Sequence, residues 1–154
     1  APETPLWRPR VAALARQLTP DELYDWFERL RLRRRDADRI ADAVTVAPKL
    51  RELVAAAEEP AALRALVEPH DPDGILMAMA GADDAVRSRL ERYFGELRDV
   101  ELEISGADLA ELGLAESPQV GAVLEEVLRR KLNGELDGRE AELAAARELI
   151  GTPA

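Results

Sequence analysis

The chain has 154 residues, with 21 Lys/Arg against 31 Asp/Glu and no cysteine. That length can bury an ordinary core without staples, and the lack of thiols excludes a disulfide scaffold, a thiolate metal site and a cysteine nucleophile. The net charge of −10 argues against a surface that embraces nucleic acid all round, because phosphate neutralisation dominates such affinity.

The charge is uneven. Residues 1–51 carry eleven Lys/Arg against eight Asp/Glu, and residues 52–154 carry ten against twenty-three. A basic face on the first third therefore remains open. No apolar run reaches the length of a signal-peptide core or a membrane span, which leads us to expect a soluble, cytoplasmic protein with no membrane partner.

Apolar spacing is helical almost throughout, and no run of alternating β-branched residues requires a strand. Val11, Leu14, Ala15 and Leu18 form a first stripe. Thr19-Pro20-Asp21-Glu22 supplies an N-cap, a proline at the first helical position and a glutamate three residues after the cap. A second helix follows, with Leu23, Trp26, Phe27 and Leu30 expected to face inward. Asp36 is placed as the cap of a third helix through Ile40 and Val44, which should end or kink near Pro48. Leu50, Leu53 and Val54 make a short continuation.

"EEPAALRALVEP" reads as a short helix between prolines, "HDPDG" as a loop, and Ile75 to Met79 as a short buried helix. From Ala82 to Asp99, the residues Val86, Leu90, Phe94 and Leu97 mark a long amphipathic helix. Ser105, with Asp108 three residues on, caps a short helix that Gly113 should end in a left-handed turn. Ser117 caps the next, Pro118 is its first residue, and Val120, Val123, Leu124, Val127 and Leu128 are its inner stripe. "NGELDG" is a loop before a last helix, Arg139 to Ile150. The predicted fold class is all-α. It is an irregular helical bundle or short superhelix with a helix-hairpin-helix-like unit near the C-terminus, divided into a body, residues 1–99, and a tail, residues 100–154.

Two constellations carry functional meaning. Arg31, Arg33, Arg34, Arg35 and Arg39 surround a helix–helix turn, where forked guanidinium donors suit RNA phosphates. The competing reading is a solvated turn paired to Asp36, Asp38 and Asp42. In the hairpin, Gly113, Ser117 and Gly121 leave the first amides of a helix beside a residue without a side chain, a place for a backbone phosphate. Gly121 costs about 1 kcal/mol of helix propensity, so something should approach its backbone, either that phosphate or the partner helix at a close crossing.

Chemistry is harder to find. Asp36 and Asp38 lie at a helix start, where residues two apart diverge by about 200° and do not share an ion. Asp71 to Asp73 has no calcium-loop spacing, His70 has no nearby nucleophile in sequence, and Met77 and Met79 read as core fillers. We expect no catalytic residue, no metal site and no cofactor within these residues.

Ile104-Ser105-Gly106-Ala107-Asp108-Leu109, Leu112-Gly113-Leu114 and Pro118-x-x-Gly121-x-x-Leu124 together resemble the C-terminal region of the tRNA nucleotidyltransferases. These are the CCA-adding or A-adding enzymes related to bacterial poly(A) polymerases. "KLNGELDGREAEL" is similar to the loop and acidic helix that follow in that family, and "LRLRRRDADRIADAV" to its helical body. Ser117 departs from the glycine that often precedes the proline.

The resemblance implies a C-terminal domain that holds tRNA for a catalytic domain earlier in the same chain. The parent would use magnesium with ATP or CTP. The family's Gly-Ser dipeptide and paired strand aspartates do not occur here, so the resemblance implies binding without catalysis. The alternative is a helical protein-interaction or dimerisation module, oligomeric in some form, with Trp7 and Trp26 as contact anchors. A free-standing enzyme would need a catalytic constellation that the sequence lacks.

Overall fold

In the computed structural model, residues 7–114 and 118–151 are described, and among them every regular element is helical. The all-α expectation is met. The chain forms two compact units, residues 1–58 with 62–95, and residues 59–61 with 96–154.

The first unit is built on α3 (Arg34–Ala56), against which α1 (Trp7–Ala15), α2 (Pro20–Arg29), α5 (Pro72–Ala80) and α6 (Asp84–Arg92) pack. The predicted capping box opens α2. The Thr19 side chain accepts from the Glu22 backbone N–H, and the Glu22 carboxylate accepts from the Thr19 backbone N–H at 2.8 Å. Leu23 and Phe27 are buried as expected, whereas Leu30 is 48% exposed because it caps the helix instead of lying within it. In α1 the buried residues are Ala12 and Ala15. Leu14 is 77% exposed, which corrects its inward assignment: small side chains form the buried face of α1, and Leu14 lies off that face.

Three further expectations are corrected. Asp36 does not cap α3; Arg33 occupies the cap position, and Asp36 sits in the first turn, bonded to Arg8. Of the end or kink expected near Pro48, the end does not occur: the helix runs 23 residues through the proline. An interior proline costs about 3 kcal/mol. Beyond it, however, α3 buries Leu50 and Val54, each contributing roughly 1.5–3 kcal/mol. Pro48 itself is exposed and Val44, whose carbonyl loses its donor, is only half-buried. Burial wins.

"HDPDG" is not a free loop either. Asp71 is an N-cap accepting from the Asp73 N–H at 3.1 Å, and Pro72 is the first residue of α5. Asp-Pro serves a turn and a helix start equally well. The predicted short helix between prolines is α4 (Pro60–Val67), which begins in the second unit's 59–61 segment and continues in the first. The predicted long helix from Ala82 is α6 followed by a π-helical turn (Tyr93–Leu97), and Tyr93, not Phe94, is buried.

The second unit holds α7 (Gly106–Glu111), α8 (Pro118–Leu132) and α9 (Gly138–Gly151) around Ile104, Leu109, Val127, Ala145 and Ala146. Asn133 ties in the segment at 59–61: its side-chain carbonyl accepts from the Ala61 N–H at 3.0 Å, and its amide donates to Glu59 at 3.1 Å. Gly113 is left-handed at φ +94, as predicted. Its N–H donates to the Ala110 carbonyl and the Leu114 N–H to the Leu109 carbonyl, both at 3.0 Å, which completes a Schellman motif.

Candidate nucleic-acid interface

The arginine turn lies between α2 and α3. The end of α2 repeats the Schellman pattern, with the Arg31 N–H on the Glu28 carbonyl at 3.0 Å and the Leu32 N–H on the Phe27 carbonyl at 3.1 Å. The left-handed position, usually glycine, is Arg31 at φ +51, and among the described residues no other non-glycine has positive φ. A left-handed L-residue costs roughly 1–2 kcal/mol.

The partners of the five arginines decide their availability. Arg39 is committed to Asp71 at 3.3 Å. Arg34 approaches Asp38 only at 3.9 Å and its side chain is 95% exposed. Arg31, Arg33 and Arg35 are exposed and have no acidic partner among the described residues. Of the three acids that could have neutralised the turn, Asp36 is instead taken by Arg8 at 2.9 Å, and Asp42 pairs with nothing described. No side chain caps the first amides of α3, so the helix dipole adds positive potential at the same corner.

The basic end of α8 shows what neutralised arginines look like. Arg129 is bonded to Glu126 at 2.7 Å, Arg130 to Glu126 at 3.0 Å and Glu148 at 3.2 Å, and Lys131 to Glu142 at 2.6 Å. The two guanidinium groups hold the Glu126 carboxyl down at about 2. These cations serve the fold.

In the hairpin, Gly113 and Gly121 are exposed, and Ser117 lies outside the described residues. Among the described residues a Cβ added at Gly121 would meet nothing within 4 Å, so no described helix crosses closely over Gly121. The close approach within the hairpin is at Gly106, whose Cβ would meet Val120 Cγ1 at 3.4 Å. Asp108 accepts from the Ser105 N–H at 2.8 Å and hydroxyl at 2.9 Å and pairs with Arg139; that guanidinium, with the Ser105 bonds, depresses its carboxyl to about 2.

Sequence reasoning missed the buried charges. Glu142 is fully buried on α9 and accepts from the Glu103 N–H at 2.8 Å, the Ile104 N–H at 3.2 Å and Lys131. Asp73 is 1% exposed, and Arg8 reaches it at 3.5 Å. Glu142 carried no distinguishing signal, because Arg139 and Glu140 just before it make the start of α9 read as a charged, solvated face; Asp73 was hidden by its position in an apparent loop. Among the described residues no three Asp, Glu or His side chains gather as metal ligands, and no helix is long and apolar enough to cross a membrane.

These observations define an all-α protein with an unneutralised arginine corner. An A-adding tRNA nucleotidyltransferase of Geobacter sulfurreducens is 36% identical over 76 residues. The match covers 49% of this chain and only 9% of that relative, and supports a relationship to that family. No protein-family model matches the chain, and no solved structure does.

Proposed function

We propose that the chain is a non-catalytic, tRNA-holding helical domain of a tRNA nucleotidyltransferase-like or poly(A) polymerase-like enzyme. On this reading it positions tRNA for nucleotide addition at the 3′ end. A catalytic region of the same enzyme carries the magnesium and the ATP or CTP. The observation that carries the reading is the α2–α3 corner, where Arg31, Arg33 and Arg35 stand exposed without acidic partners among the described residues while the basic residues of α8 are all paired. The partial similarity to the A-adding enzyme supplies the substrate class.

Titrating tRNA at several salt concentrations tests it. Arg33, Arg34 and Arg35 changed together to alanine should weaken binding and lower the slope of log affinity against log salt by about 0.7–0.9 per lost contact. Unchanged affinity and slope would assign these arginines to a solvated turn.

A further inference from the structure

The same corner contains a notch of about 280 Å³, lined by Tyr24, Phe27, Glu28, Leu32, Arg34 and Ala37. Its walls differ in chemistry. Tyr24 is 49% exposed, yet its ring is braced edge-on at 6.0 Å and 85° by Phe27, itself 2% exposed. Ala37 is buried and Leu32 half-buried, which gives the notch an apolar lining. Glu28 is exposed and its carboxylate has no partner among the described residues. Arg34 stands on the rim.

A phosphate does not suit the interior of this notch, because the Glu28 carboxylate would repel it. A flat heterocycle does suit it: an aromatic face stacks on any base, and a carboxylate accepts from an amino group. Arg34, which lines the notch with its side chain 95% exposed, and its exposed sequence neighbours Arg33 and Arg35 offer donors for the phosphates of such a base. We propose that the notch receives one unpaired nucleobase of a bound RNA. Tyr24 supplies the stacking face, and Glu28 accepts a hydrogen bond from an exocyclic amino group, favouring adenine, cytosine or guanine over uracil. The proposal rests on the RNA-binding reading and adds that this corner distinguishes unpaired from duplex RNA.

The test titrates the chain with oligoadenylate, oligouridylate and a duplex RNA. Tyr24→Ala should weaken oligoadenylate binding about 5- to 150-fold, which is the ~1–3 kcal/mol lost per stacked base. The salt slope and duplex affinity should not change. Tyr24→Phe should bind as the parent does, and Tyr24→Leu, which keeps apolar bulk without a flat face, should behave like Tyr24→Ala. Glu28→Gln should narrow the preference for oligoadenylate over oligouridylate.

Equal losses on duplex and oligoadenylate would overturn the proposal, as would a Tyr24→Leu variant that binds normally. If the triple arginine variant loses RNA while Tyr24→Ala and Tyr24→Leu do not, the notch is wrong and the arginine corner stands. If none of them changes binding, both readings fail.

Discussion

The two units treat their buried charge in opposite ways. In the second unit, Glu142 has two backbone N–H donors and the Lys131 ammonium, so both oxygens are bonded. In the first unit, Asp73 is equally buried, but neither oxygen has a hydrogen-bond partner and Arg8 is an ion-pair neighbour at 3.5 Å. Burial pushes the Asp73 carboxyl above its usual range, with the Asp71 charge adding to the effect against Arg8 and Arg39. A satisfied buried carboxylate locks the segments it bridges. An unsatisfied one survives only on its counter-charge.

The largest expected effect follows from Glu142. Changing it to alanine leaves the Glu103 and Ile104 amides without their acceptor. The change also takes from Lys131 its shortest ion pair, leaving it the Glu101 carbonyl at 2.9 Å and Glu103 at 3.6 Å, and should cost about 3 kcal/mol. Hydrogen exchange should show the Glu103 and Ile104 amides losing protection first. If those amides stay protected, Glu142 is not the clasp that holds the segment before α7 to α9.

Arg8 should come next. Arg8→Met leaves Asp73 buried without its counter-charge, a loss of about 3 kcal/mol, and Asp73→Asn in the same chain should recover most of it. The pH dependence has a defined sign. Because the folded-state pKa of Asp73 lies above its ordinary 3.8, folding favours the protonated form. Its contribution therefore declines as pH rises from about 3.8 through the raised value. The slope should steepen in Arg8→Met and vanish from this site in Asp73→Asn. A double variant no more stable than Arg8→Met would mean that Arg8 acts through Asp36 instead.

What was legible in the sequence was local. The Thr19–Glu22 box and the left-handed Gly113 are decided within a few residues, and both were read correctly. Whether Pro48 ends its helix and whether the Asp-Pro at 71–72 is a loop or a helix start are locally ambiguous, and tertiary burial resolves both. Glu142 meets Glu103 across 39 residues of chain, a pairing that no spacing rule reaches. The arginine cluster was visible as composition. Its freedom from Asp36 was not, because Arg8 approaches from 28 residues away. Nor was the notch, although Tyr24 falls beside the Leu23 and Phe27 stripe, where an aromatic has no core to fill.

The left-handed Arg31 sharpens the contrast at a smaller scale. Arg31→Gly removes the strain but adds unfolded-chain entropy, so the net gain in stability should be about 0.5–1 kcal/mol. The same change removes one exposed cation, so the salt slope of tRNA binding should fall by the equivalent of one phosphate. A variant that is more stable yet binds less well would show that strain is retained here for function. One that is more stable and binds equally would leave Arg31 without a role at the interface.

Gly121 asks whether the second unit, whose α8 cations are paired, touches RNA at all. Because a Cβ there meets nothing within 4 Å, Gly121→Ala should stabilise α8 slightly, by about 0.5 kcal/mol, and Gly121→Val should be near neutral. Neither has a packing partner to strain. Thermal melting of both variants should therefore stay close to the parent, and a large drop would contradict the open face. Binding then gives the answer. If the first turn of α8 receives a backbone phosphate, the branched valine obstructs the approach and tRNA affinity falls with the fold intact. If affinity holds in Gly121→Val while the Arg33, Arg34 and Arg35 variant loses it, RNA contact belongs to the first unit, and the hairpin glycine leaves bare a face that RNA does not use.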